Sequence, residues 1–283
     1  MRVATWNVNS VLARAPRLAQ WLDLVRPDVL CLQETKCPDS AFPVELATER
    51  GYEVAAHGDG RWNGVAILSR VGLAEVSRGF PGQPGYAAPR DDEPAALIDV
   101  PAEPVVEARA IGATCGPLRV WSVYVPNGRA PDSPHYAYKL AWLAALREAL
   151  APEVAAGGPF LVMGDFNIAP TDADVWDPQA FVGATHVTEP ERRALAELQA
   201  LGLTDVPARA LKYGTPYTYW DYRAGMFHKN LGMRIDLVLA NEPAAAAVTD
   251  AYVDREARKG KGPSDHAPVV VDLDVDDTAA SSR

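Results

Sequence analysis

Four short stretches concentrate side chains that can move protons or hold a cation: "LQETK" with Glu34, "GDFN" with Asp165 and Asn167, "RIDLVLA" with Asp236, and "SDHAP" with Asp265 and His266. Glu34 follows an apolar run, where a carboxylate leaving water needs a partner. A divalent cation or an arginine would serve. Mg2+ takes one or two protein carboxylates and keeps several waters, so Glu34 with Asn7 and Asp265 nearby would suffice. Asp165 and Asn167 stand two residues apart in an extended turn, a spacing that turns both side chains to one side. Such a carboxylate takes a proton from water while the amide donates to a phosphate oxygen. Asp236 lies early in an otherwise apolar strand and needs a charge partner, for which His266 is the candidate. A carboxylate so placed fixes the imidazole tautomer and raises its pKa.

Each stretch also has a plainer use. Glu34 can pair with Lys36, "GDFN" can be an Asx-turn after Gly164, and Asp236 can pair with Arg234. Asp265 and His266 can belong to a polar turn, since Gly262, Pro263 and Pro268 mark one there.

The elements that would position these groups are strands and helices in alternation. Apolar runs at 1–10, 28–35, 64–70, 118–128, 159–167 and 234–241 read as strands covered on both faces. Helical spacing appears at 14–25, 134–150 and 190–201, with Ser133 and Pro134 as N-cap and first-turn residue of the second. Strands mixed with helices predict an α/β sandwich in one domain over residues 1–274, followed by a disordered tail at 275–283. Residues 81–105, rich in Pro, Gly and acid, read as a surface loop. Polar residues gather where the strand runs end: Asn7, Glu34, Tyr124, Asn127, Asp165 and Asn167. Loops on one edge of a rigid sheet are where active sites are built.

With 48% hydrophobic and 23% charged residues, the chain has the composition of a soluble globular protein. No apolar run approaches the ~18 residues of a membrane span, and the N-terminus does not resemble a signal peptide. Cys31, Cys37 and Cys115 form no CxxC pair, which fits a reducing, cytoplasmic setting and argues against zinc. A formal charge of −10 weighs against a polyanionic partner. Yet Arg209, Lys212, Arg223, Lys229 and Arg234, with Arg255, Arg258, Lys259 and Lys261, form two late basic segments suited to a phosphate-facing rim.

In order along the chain, "TWNVNS", "LQETK", "YVPNG", "GDFN", "RIDLVLA" and "SDHAP" resemble the exonuclease III and AP endonuclease branch of the endonuclease/exonuclease/phosphatase family, from Arg2 to about Asp274. The resemblance implies a four-layer α/β sandwich, two mixed β-sheets face to face with helices outside. It implies a monomeric enzyme, cytoplasmic and nucleoid-associated if bacterial. It further implies Mg2+, with Mn2+ as a substitute, cleavage of double-stranded DNA 5′ to abasic sites, and processing of blocked 3′ ends as exonuclease and 3′-phosphatase or phosphodiesterase. Carried over by position, Glu34 is the principal metal ligand, with Asn7 and Asp265 lining that site. Asp165 orients or deprotonates the attacking water. Asn167 and Tyr124 hold the phosphate or stabilise the departing oxygen, and His266, supported by Asp236, binds a non-bridging phosphate oxygen. Residues 217–236 resemble the family's DNA-recognition loop, so Trp220, Arg223, Phe227, Lys229 and Met233, together with Asn127, are assigned to DNA; a tucked hydrophobic loop is the plainer reading. The segment 89–110 does not align with the family. Two other readings are a same-fold phosphodiesterase acting on an inositol phosphate or sphingomyelin, and a DNA-binding module without catalysis.

Overall fold

A computed structural model describes residues 1–87 and 103–275. The strands are β1 (Arg2–Asn7), β2 (Val29–Gln33), β3 (Glu53–His57), β4 (Val65–Ser69), β5 (Ala74–Arg78), β6 (Ala110–Cys115) and β7 (Leu118–Tyr124). Then follow β8 (Phe160–Asp165), β9 (Leu203–Asp205), β10 (Arg209–Ala210), β11 (Asp236–Asn241), β12 (Val248–Val253) and β13 (Val269–Leu273). They form a seven-stranded sheet in the order β10-β12-β13-β1-β2-β4-β3 and a six-stranded sheet in the order β5-β6-β7-β8-β11-β9. Each sheet is mixed, with β1 parallel to β2 in the first and β7 parallel to β8 in the second.

The alternation of side chains along each strand sorts the core into layers. Val3, Cys31, Val65 and Ile67 of the first sheet meet Ile111, Val120, Met163 and Val238 of the second. The opposite face of the second sheet, with Trp121, Val162 and Leu239, is covered by Trp142, Leu143, Leu146 and Leu150. These four lie on helix α3, because the helices are α1 (Val11–Val25), α2 (Val44–Thr48), α3 (Pro134–Ala155), α4 (Glu189–Gln199), α5 (Met226–Lys229) and α6 (Glu242–Ala247). Leu18, Trp21 and Leu22 of α1 cover Ala4, Leu30 and Leu68 on the outer face of the first sheet. The result is the expected four-layer sandwich. Among the described residues no helix is long and apolar enough to cross a membrane.

Local signals set most boundaries. Ser133 accepts from the Tyr136 N–H at 3.3 Å ahead of Pro134, as its spacing predicts, although α3 continues five residues past Leu150. Thr188 and Glu191 form a reciprocal capping box at the start of α4. The surface loop expected at 81–105 is pinned at its ends by a Tyr86–Val105 bridge, with N···O distances of 2.8 and 3.0 Å. Most of that loop and of the unaligned 89–110 segment, and the tail beyond residue 275, lie outside the described residues.

Parallel and antiparallel pairings bring the functional ends to one edge. β1, β2, β7 and β8 finish there, at Asn7, Gln33, Tyr124 and Asp165. β11 and β13 run antiparallel to their neighbours and therefore start there. Below this edge Gln33 ties the sheets together, its amide N–H groups reaching Thr5 Oγ1 at 2.9 Å and Ser122 Oγ at 3.0 Å. Gly164 allows β7 and β8 to pair this closely. It has φ +150°, and a Cβ there would fall 1.9 Å from the Val123 carbonyl oxygen. Gly164→Ala is therefore expected to cost more than about 2 kcal/mol in chemical denaturation, since backbone itself would have to move. A loss below about 0.5 kcal/mol would contradict this account of the strand pair.

Candidate active site

Three chain ends build the centre. β8 delivers Asp165, β11 opens on Asp236 directly across from it in register, and the turn before β13 delivers His266. Asp236 Oδ2 lies 2.8 Å from His266 Nδ1, and His266 Nε2 lies 3.8 Å from Asp165 Oδ2. All three side chains are buried. Arg234, the alternative partner for Asp236, pairs instead with Asp174 at 2.7 Å and Asp205 at 2.8 Å.

Glu34 arrives from the end of β2. Its Oε1 accepts from Asn7 Nδ2 at 2.8 Å, and the same amide donates to Asp165 Oδ2 at 3.0 Å. Its Oε2 meets Lys36 Nζ at 2.7 Å, so the plainer Glu34–Lys36 pairing is present too. Lys36 continues to Asn9 Oδ1 at 2.6 Å, and Asn9 Nδ2 donates to Asp265 Oδ1 at 3.0 Å. Six side chains thus link into one polar belt. Asn9, Glu34, Lys36 and Asn167 all sit at φ between 45° and 52° without being glycine. Each such residue costs of order 1 kcal/mol, and this strain gathers where the belt is built.

The charges follow from these contacts. Burial pushes the Asp165 carboxyl up to about 7, against the His266 charge and reinforced by Asp236 and Glu34. Burial would depress the His266 imidazole, but Asp236 and then Asp165 hold it up at about 10. Burial also pushes up the Glu34 carboxyl, and Lys36, with help from Asn7, brings it below its ordinary value. The Tyr124 phenol is buried beside the Glu34 carboxylate, and both effects keep it a proton donor.

A cation fits this set. Ligand atoms of Glu34, Asp165 and His266 lie within 4.8 Å of one another. His266 is already engaged by Asp236 at Nδ1, which leaves the carboxylates, Glu34 foremost. Hard oxygen donors suit a hard divalent ion. Asn7 turns its N–H groups to the carboxylates while its oxygen accepts from the Asn9 N–H at 3.0 Å. Asp265 joins them through Asn9, which donates to its Oδ1 at 3.0 Å.

Asn167 is buried next to Asp165, whose Oδ1 accepts the Asn167 N–H at 2.9 Å in the expected Asx geometry. Asn127 is exposed and donates to Asn167 Oδ1 at 3.1 Å. The 217–236 loop differs from an open apolar wall. Trp220 is 1% exposed, Phe227 and Met233 7% each. Trp220 stands edge-on to Phe227 with ring centres 5.3 Å apart, and Met233 packs against Val175 and Ile235. The Arg255 and Arg258 guanidiniums lie 3.9 and 5.0 Å from the Phe227 ring centre. The tucked-loop reading holds for the aromatic residues: they shape the loop. Arg223 and Lys229 remain at the surface, Arg223 paired with Asp221 at 2.6 Å.

The basic rim is also smaller than its residue count suggests. Arg209 pairs with Asp250, Arg234 with two aspartates and Lys259 with Glu256. Sequence reading missed Asn9, which sits two residues after Asn7 in "WNVNS" and was within reach of the same logic. It also missed Arg109, which stacks 4.8 Å from the Tyr124 ring centre and donates to its carbonyl at 3.3 Å. It missed Tyr219, 5.0 Å from the His266 ring. Neither carries a local sequence signal.

The model of the Endonuclease/Exonuclease/phosphatase family matches residues 4–266, and the chain belongs to that family. It is 31% identical over 282 residues to exodeoxyribonuclease III of Haemophilus influenzae, covering 95% of this chain and 98% of that one. A 3′ phosphatase from Neisseria, solved bound to product DNA hairpin, is 38% identical with TM-score 0.86, covering 97% of this chain and 100% of that one. An AP endonuclease from Archaeoglobus fulgidus has the same TM-score of 0.86 at 35% identity, with 97% and 100% covered. The chain is accordingly an enzyme, a DNA-repair phosphodiesterase of the exonuclease III and AP endonuclease branch.

The raised imidazole predicts a sign for stability. Protonated His266 is favoured in the folded state, so its contribution is fully present below the unfolded value of 6.5 and is lost as pH rises through about 10. In the metal-free protein Tm is expected to fall more steeply across this window than in Asp236→Asn, where the main support for the charge is gone. Parallel Tm curves for the two proteins would refute the buried imidazolium.

Proposed function

We propose that the chain hydrolyses phosphodiesters of double-stranded DNA with Mg2+, at blocked 3′ ends and 5′ to abasic sites, acting as a monomer in the cytoplasm. The observation that carries this is the facing pair at the sheet edge: a carboxyl poised near neutrality at Asp165, 3.8 Å from an imidazolium at His266. A base titrating near 7 can hold water's proton without being spent at working pH. Asp165 takes that proton, and Asn7 keeps its carboxylate aimed. His266, Tyr124 and the second N–H of Asn167 Nδ2 hold the phosphate oxygens, where negative charge grows. The first N–H of that amide is fixed on the Val125 carbonyl at 3.0 Å, which sets the direction of the second. Mg2+, which Glu34 would hold beside Asp165, would supply Lewis-acid polarisation of a phosphate oxygen.

We rank 3′ ends above internal abasic sites. Trp220 and Met233, assigned to DNA on the resemblance, are packed inward and present no open apolar wall to an extruded sugar. A terminal phosphate reaches the donors without extruding a sugar from within the duplex. The reading of a binding module without catalysis has no use for a poised base, and the DNA relatives outweigh inositol phosphate or sphingomyelin as substrate.

Steady-state rates on a duplex with a 3′-phosphate and on one with a single internal abasic analogue, with Mg2+ or with EDTA, test this. Activity should vanish in EDTA, and kcat/KM should be higher on the 3′-phosphate. Full activity in excess chelator would refute the metal, and equal or reversed kcat/KM would refute the ranking. Glu34→Gln should lower the rate, with partial recovery at high Mg2+. Asp165→Asn should lower kcat by about 10²-fold or more with DNA binding kept, because an amide cannot accept the proton. Retention of more than about a tenth of the rate would exclude the base role.

A further inference from the structure

Behind the phosphate-facing loops lies a buried ion pair that none of the chemistry above uses. Lys139, on α3, and Glu191, in the first turn of α4, meet with Nζ–Oε1 at 2.5 Å, both side chains at 0% exposure. The lysine has three donors and all are placed. Besides Glu191 they go to the Asn167 carbonyl at 2.7 Å and the Asn127 carbonyl at 3.2 Å. Glu191 Oε1 also accepts from Thr185 Oγ1 at 2.7 Å and the His186 N–H at 2.9 Å, while Oε2 accepts from the Thr188 hydroxyl at 2.6 Å and its N–H at 3.1 Å. Thr185 Oγ1 also lies 3.0 Å from the same Asn127 carbonyl, so its single proton is shared between that oxygen and Glu191. The packing has no slack, because a Cβ on Gly128 would fall 2.7 Å from Thr185 Oγ1 and 3.1 Å from Lys139 Cδ.

Glu191 caps α4, but stability does not call for a buried lysine opposite it. Taking an ammonium and a carboxylate out of water costs several kcal/mol each, and apolar residues of similar volume often replace such pairs without loss. What apolar residues cannot do is hold two carbonyls on separate loops. Asn127 follows β7 and Asn167 follows β8, and the two side chains bond each other at 3.1 Å. Asn167 is moreover held at φ +51°, a conformation that needs an outside restraint.

We propose that Lys139 is a positioning residue: its ammonium, neutralised by Glu191, locks the backbones of Asn127 and Asn167 together and so fixes the Asn167 amide that holds the phosphate. The proposal rests on the reading of Asn167 as a phosphate donor. A displacement near 1 Å at such a donor costs on the order of 10²-fold, so even partial release of the loops should be visible in kcat.

The decisive variant is Lys139→Met/Glu191→Gln, which keeps the volume and leaves no buried unpaired charge. Its Tm is expected close to wild type. On the 3′-phosphate duplex, with active sites counted by DNA-binding stoichiometry, kcat should fall about tenfold or more while KM stays within about twofold. Amide hydrogen exchange should rise at 126–129 and 166–169 and not in the sheets. Wild-type kcat and unchanged exchange in the folded double variant would overturn the proposal. Should that variant fail to fold, Thr185→Val takes its place: it removes only the one hydroxyl proton shared between the Asn127 carbonyl and Glu191. A fall in kcat with steady KM and Tm is then expected, and an unchanged kcat overturns it. A wild-type protein inert on both duplexes would defeat the phosphodiesterase reading alone, and the exchange data would still decide for or against Lys139.

Discussion

Two buried carboxylates stand side by side because β8 and β11 pair Asp165 with Asp236. In a medium of low dielectric two such charges repel strongly, and neither has bulk water to turn to. The conflict is resolved by one imidazole. His266 takes Asp236 at 2.8 Å and remains protonated under its influence, so it faces Asp165 as a cation. Asp165 is left as the group with the least compensation, and it rises to about 7. The raised Asp165 carboxyl and the charged His266 imidazole are therefore one electrostatic arrangement. Neither could be moved to another strand without losing the other.

The sandwich supplies the rigidity this needs. Strand pairings on both sides fix Asp165 and Asp236, and Gln33 locks the two sheets directly beneath. Groups that must point into the cleft from loops are held by backbone restraint at left-handed φ, as at Glu34 and Asn167. Such strain persists only where surrounding contacts over-determine it. The belt through Asn7, Lys36 and Asn9 does this for Glu34, and the Lys139–Glu191 pair does it for Asn167.

Much of the polar cluster at the sheet edge could be read from the chain because each member breaks a local rule. Asp236 is an acid inside an apolar strand, Glu34 an acid at the end of one, and "GDFN" a turn whose Gly164 is required by a 1.9 Å approach. The layers were legible for the same reason, since apolar periodicity reports which faces are covered. The recognition loop was not. Trp220 and Phe227 among basic residues read as DNA contacts, yet Arg255 and Arg258, some thirty residues later, stack on them and close the loop over its own aromatics. Lys139 was invisible too: a lysine on a helix reads as solvated, and only the tertiary meeting with Glu191 shows otherwise. Spacing reports local geometry, and these contacts are long-range.

The charge distribution bears on how such a chain meets DNA. At −10 overall it repels a polyanion at distance, and much of the late basic segments is already neutralised by neighbouring acids. Lys212, Lys229 and Lys261 stay exposed, and they set the scale of any nonspecific, salt-sensitive attraction. On the proposed reading, binding draws as well on donors inside the cleft, namely His266, Asn167 and Tyr124. Those donors act over a few ångströms and reward a phosphate only when it enters. A backbone that merely passes along the surface gains little from them, whereas a phosphate at a strand end can be inserted. Weak general attraction combined with a strong local site thus favours discrimination by accessibility of the phosphate, which is the property that separates a damaged or terminated strand from intact duplex.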